Sequence, residues 1–124
     1  MNSKDPKLVA LRFNECINNQ DLDGLARLMT DGHTFIDRED KVHQPKEFMI
    51  QSWKHFFETF PKYRNTFTRV QSRDNLVVML GHAYWSEEQS YDPAIWTASI
   101  VNGLVREWRI YPDTEANRKA FRLL

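Results

Sequence analysis

Residues 18–37, NNQDLDGLARLMTDGHTFID, constrain this chain more than any other stretch. They read as the end of one helix, a second short helix, and a first strand that finishes on an acid. Asp21 is a favourable N-cap, because its carboxylate can accept from the free amides of a first helical turn. Leu22, Leu25, Ala26 and Met29 recur at i, i+3, i+4 and i+7, so they share one helical face. Asp31-Gly32 breaks that period, and His33-Thr34-Phe35-Ile36-Asp37 is short, β-branched and aromatic, as a strand requires. A helix pair feeding a strand that ends in a carboxylate closes one side of a pocket in an α+β domain. Asp37 is therefore the first candidate for chemistry.

The flanking segments supply the remaining layers. Asp5-Pro6 opens a first helix whose apolar stripe is Val9, Phe13, Cys16 and Ile17. A charged loop, Arg38 to Gln44, follows the strand and is placed to flank a pocket mouth. Pro45 starts the longest helix, with Met49, Trp53, Phe56, Phe57 and Phe60 on one wide face, and Pro61 ends it. Strands are then expected at Tyr63–Gln71, Leu76–Ser86, Ala94–Val101 and Leu104–Tyr111. The last two are joined by Asn102-Gly103, a strong hairpin signal. Thr114 to Leu124 reads as a terminal helix with Ala116, Ala120, Leu123 and Leu124 on one side. Helices first and an antiparallel meander after is the α+β order.

Charge excludes several partners. Seventeen basic and seventeen acidic residues cancel, which leaves no electrostatic footprint for nucleic acid or an anionic membrane. Cys16 is the sole cysteine and precludes an internal disulfide. No apolar run approaches the ~20 residues of a membrane span, and MNSKDPKL lacks a signal-like segment, so a cytoplasmic location is expected. The histidines form no fixed metal-ligand spacing and the glycines no phosphate loop, so neither a metal nor a cofactor is expected. Aromatics are abundant, with four Trp, four Tyr and eight Phe, enough to fill a core and wall a small-molecule pocket.

With these elements in place the single domain, residues 1–124, resembles the NTF2-like superfamily over all but its last ten or so residues, and within that superfamily the SnoaL-like polyketide cyclases and ketosteroid isomerases. The resemblance is carried by Leu11-Arg12-Phe13 through Asn18, Asp21-Leu22-Asp23-Gly24-Leu25, Phe35-Ile36-Asp37, Trp53, and Arg106 through Tyr111. It implies a cone-shaped, cystatin-like α+β fold: a curved antiparallel sheet wrapped around a long helix, with an internal pocket. The family's general base falls on Asp37. Its oxyanion-hole tyrosine falls on Phe13, which has no hydroxyl, and its neutral acid donor falls near Thr97. Without those donors the electrostatic stabilisation of an enolate is missing, which argues against a plain isomerase copy.

The same alignment turns Val78, Leu80, His82 and Tyr84 inward on the long strand, with Trp108 and Ile110 inward on the last. Trp85, Ile100 and Tyr111 are assigned outward, where a homodimer contact is expected to cover them. The candidate catalytic set is thus Asp37, His82 and Tyr84, walled by Phe13, Trp53, Thr97 and Trp108. His33 shares parity with Asp37 at the pocket rim, while His43 and His55 receive no role. Two functions fit. One is an isomerase, cyclase or lyase that removes a proton from a hydrophobic carbonyl compound. The other is a non-catalytic ligand-binding or dimerisation module.

Overall fold

The computed structural model describes residues 4–124. Local signals set the first helices. In α1 (Pro6–Asn18) Asp5 accepts a hydrogen bond from the Lys7 amide at 3.0 Å, and the helix buries Val9, Ala10, Phe13 and Ile17. In α2 (Leu22–Arg27) Asp21 accepts from the Gly24 amide at 2.9 Å. That helix stops short of Met29, which instead opens β1 (Met29–Ile36). Tertiary pairing takes precedence there: Met29 aligns with Val105, whose amide donates to the Leu28 carbonyl. The break expected at Asp31-Gly32 survives as an irregularity of register between Met29 and Thr34, inside the strand.

Five further strands and two helices complete the chain. They are β2 (Val42–His43), α3 (Lys46–Thr59), β3 (Arg64–Arg73), β4 (Leu76–Tyr84), β5 (Asp92–Val101), β6 (Leu104–Pro112) and α4 (Glu115–Ala120). The curved, open sheet runs β2-β1-β6-β5-β4-β3. Asn102 and Gly103 take φ of 51° and 79°, the left-handed pair that a tight β5–β6 hairpin needs. All neighbours are antiparallel except β1 and β6. That parallel pair corrects the expectation of a wholly antiparallel sheet. The segment from α3 through β5 serves as the crossover that parallel strands require.

The inner face packs on α1 and α3. It carries Val77, Met79 and Ala83 from β4, Ala94, Trp96, Ala98 and Ile100 from β5, and Val105 and Trp108 from β6, each no more than 2% exposed. The parity expected for β4 is therefore inverted. Val78 and Leu80 lie in the outer cluster, and His82 and Tyr84 follow them on that parity, while Trp85 and Ile100 turn inward. Alternation was uninformative because both faces of this strand are apolar. The outer face is covered by the chain's own C-terminus, since Leu123 and Phe121 pack on Val78, Ile95, Leu80 and Tyr111. Arg69 and Gln71 donate to the Leu123 and Phe121 carbonyls at 2.8 and 3.3 Å and hold that segment down.

Two features of the core generate predictions. Phe67 pairs with Gly81 and Arg69 with Leu80, so Thr68 is an extra residue and β3 bulges. The bulge brings backbone onto Gly81, where a Cβ would lie 1.9 Å from the Thr66 carbonyl oxygen. Gly81→Ala is expected to cost about 1–3 kcal/mol of stability, as overpacking of a fitted site does. A urea midpoint equal to that of the parent would contradict this.

His33 is fully buried rather than at a pocket rim. Its Nδ1–H donates to the Val105 carbonyl at 2.7 Å, and its ring lies 5.6 Å from that of Phe13. Burial pushes the imidazole below its ordinary value and outweighs the opposing effect of the Val105 bond. The folded state thus resists a proton that the unfolded chain accepts below pH ~6.5, so stability falls as pH drops through that range. The expected loss approaches ~1.4 kcal/mol per pH unit. Urea titrations of the parent and His33→Leu between pH 7.5 and 5.5 separate this from other groups. The parent's extra slope should vanish in the variant, whatever its absolute stability.

Candidate functional site

A cavity of about 550 Å³ opens between the β1–β2 hairpin, α3, and the ends of β4 and β6. Its walls are aromatic because three elements converge there. Phe35 comes from β1, Trp53 and Phe56 from the inner face of α3, and Tyr63 and Trp85 from just before β3 and just after β4. The rings of Phe56, Phe60, Tyr63 and Trp85 lie within 4.8–5.6 Å of one another in the contacts that join them. Phe48, 52% exposed at the start of α3, stands at the mouth with its ring parallel to His43.

The polar end of the cavity is built on Asp37, one residue beyond β1. Its Oδ1 accepts from the Glu39 and Lys41 amides at 2.9 and 3.0 Å, and its Oδ2 lies 2.9 Å from His43 Nε2. Burial alone would raise this carboxyl. The hydrogen bonds from His43, Lys41 and Glu39 outweigh it and hold the group below its ordinary value. His43 Nε2–H donates to the ionised Asp37, and in the neutral imidazole that tautomer leaves Nδ1 as a lone-pair acceptor. The pairing Phe35↔His43 across the hairpin is what delivers that ring.

Two further groups converge. Arg38 makes a bidentate bond to Asp92 at 2.9 and 3.1 Å, and Trp85 Nε1 donates to the same carboxylate at 2.9 Å. This ties the hairpin turn to the start of β5 across the mouth. Tyr63 is 5% exposed, and burial pushes its phenol well above the ordinary value against the pull of the Asn65 side chain. It is therefore a neutral O–H donor at all working pH. Asn65 is held in turn by Asn14 and Asn18 of α1.

Of the residues singled out from sequence, Asp37 and Trp53 line this cavity, and Ile110 does as well. His82 and Tyr84 do not. His82 contacts the Tyr91 ring at 4.8 Å on the outer face, and Tyr84 lies under the Arg64 guanidinium at 4.3 Å. Thr97 aligns with Val78 on that outer parity. Phe13 and Trp108 pack on each other at 4.8 Å in the closed core and are not on the cavity wall. The missed residues are His43, Arg38, Tyr63 and Trp85. A sequence signal for His43 existed: Asp37 to Lys41 is a charged turn, so Val42-His43 is the returning arm of a hairpin.

Among the described residues no group of three His, Cys, Asp or Glu side chains is arranged to hold a metal ion. None of the helices there is long and apolar enough to cross a membrane.

The sequence profile of the SnoaL-like domain matches residues 10–108. No curated protein matches the chain. Among solved structures, an NTF2-like protein of unknown function from Cytophaga hutchinsonii superposes with a TM-score of 0.73 at 14% identity, covering 94% of this chain and 95% of that one. A candidate SnoaL-like polyketide cyclase from Shewanella putrefaciens gives 0.76 at 14% identity, with 96% and 86% covered. A candidate ketosteroid isomerase from Kribbella flavida gives 0.74 at 12% identity, with 88% and 78% covered. At such identities the likeness establishes the fold.

Proposed function

The chain belongs to the SnoaL-like domain family, and from that premise we propose that it binds a small, largely apolar carbonyl compound and moves a proton on it. The observation that carries this reading is the Asp37–His43 pair, 2.9 Å apart at the polar end of an aromatic cavity. Asp37 already accepts three hydrogen bonds, so it orients His43 rather than taking the substrate proton itself. His43 Nδ1 accepts the proton from the carbon beside the carbonyl, and the electron pair of that C–H bond moves onto the carbonyl oxygen. Tyr63, a neutral phenol on the cavity wall, supplies an O–H donor for the resulting enolate. Returning the proton to another carbon makes an isomerisation, and attack of the enolate on a second carbonyl of the same molecule makes a cyclisation. The names of the cyclase and isomerase neighbours agree with both outcomes.

A second reading keeps the cavity without turnover. It is favoured by the mutual pairing of the polar groups, with Arg38 committed to Asp92 and Asp37 to the hairpin.

Deuterium exchange at the carbons flanking the carbonyl of 2-tetralone, followed in D2O by NMR, separates the two. The proton-transfer reading expects exchange well above buffer, a loss of about 10²–10⁴-fold in His43→Gln, and a smaller loss in Asp37→Asn. Both variants should still bind the ketone by tryptophan fluorescence. Exchange no faster than buffer, or undiminished in His43→Gln, would leave the binding module as the function.

A further inference from the structure

We propose that the ligand of this cavity carries a positive charge besides its carbonyl group, an ammonium, and that Glu39 at the mouth selects it; the inference rests on the reading of the cavity given above. Three charged side chains line the cavity, Asp37, Arg38 and Glu39. Asp37 is occupied by two amides and the His43 imidazole. Arg38, the cation among them, is neutralised by its bidentate bond to Asp92. Glu39 differs. Its amide is fixed on Asp37 Oδ1 at 2.9 Å, while its side chain is exposed and has no partner among the described residues. Neither Lys41 nor Lys46 lies on the wall to offset it. The uncommitted charge of the wall is therefore negative.

The rest of the cavity favours the same sign. Aromatic rings attract a cation at their faces and give an anion nothing comparable. Phe48, 52% exposed at the mouth, is the most open of the rings there. A carboxylate or phosphate entering this cavity would lose water and meet Asp37 and Glu39, with no free guanidinium or ammonium on the wall to receive it. The proposed chemistry points the same way. Removing a proton from the ligand places negative charge on its oxygen in a cavity that already holds two carboxylates. Apart from the imidazolium that the step itself creates, the group assigned to oppose that charge is the neutral Tyr63 phenol. A positive substituent on the ligand supplies further counter-charge. At a mouth open to water an ammonium keeps part of its hydration while it pairs with Glu39, and the apolar remainder of the ligand fills the aromatic interior.

The experiment titrates the whole chain, by tryptophan fluorescence at neutral pH and low salt, with three 2-tetralones of nearly equal shape. Their 6-substituents are dimethylaminomethyl, which is cationic, carboxymethyl, which is anionic, and isobutyl, which is neutral. The cation is expected to bind at least about threefold tighter than the anion, a modest ratio because the pairing is solvent-exposed. Salt at ~1 M, where charges are screened beyond ~3 Å, should erase the preference, and Glu39→Lys should bring it to parity or reverse it. If the isobutyl ketone binds and the two charged ketones differ by less than threefold, or the anion is preferred, the inference falls with the cavity reading intact. A preference for the cation that survives ~1 M salt, or that stands unchanged in Glu39→Lys, overturns it as well. If none of the three binds at millimolar concentration, the cavity reading falls with it. The parent protein supplies the decisive ratio, so a poorly folded variant leaves the outcome readable.

Discussion

The carboxylate of Asp37 is the interaction on which the site depends. It accepts from two amides of its own turn and from the imidazole of the returning strand, and so closes the β1–β2 hairpin around one buried-edge charge. Arg38 follows directly and reaches across to Asp92, while Asp40, two residues on, pairs with Arg109 at 2.8 Å. One short turn is thereby anchored inward to His43 and outward to β5 and β6. The geometry of the cavity mouth follows from those anchors rather than from burial of apolar surface, of which the turn has little.

Two consequences of this arrangement bear on chemistry. A carboxylate that accepts three hydrogen bonds has its charge stabilised and is a weak base, which is why the proposed proton transfer is assigned to the imidazole it orients. The same pair makes the imidazole's position a property of strand pairing, through Phe35↔His43, so its precision is that of a sheet rather than of a loop. Beyond the pair the walls are aromatic, and the buried Tyr63 phenol among them is neutral. A neutral donor in a desolvated wall would favour a ligand oxygen that gains charge in the proposed reaction over one that is charged beforehand.

The outer side of the sheet shows how one strand can mislead. β4 runs Leu76-Val77-Val78-Met79-Leu80, apolar on both faces because α1 and α3 cover one and the C-terminal segment covers the other. Period-two alternation carries information only when one face is wet. His82 and Tyr84, read as inward on that strand, belong to the side that Phe121 and Leu123 partly cover. The terminal helix, which has no buried residue of its own, acts chiefly as the spacer that brings those two side chains down.

What the sequence by itself determined is what depends on near neighbours. Asp5 and Asp21 as caps, the prolines bounding α3, the Asn102-Gly103 turn, the aromatic face of α3 and the α+β order of elements are all local, and each stands where the residues place it. The family resemblance added the fold and the place of Asp37. Only the tertiary structure decided which face of β4 looks inward, that β1 lies parallel to β6, and that β3 bulges at Thr68. It also decided that Val42-His43 returns to carry an imidazole onto Asp37. Those outcomes are set by contacts between segments far apart in sequence. A side chain's preference for apolar or polar surroundings does not say which distant segment will supply them.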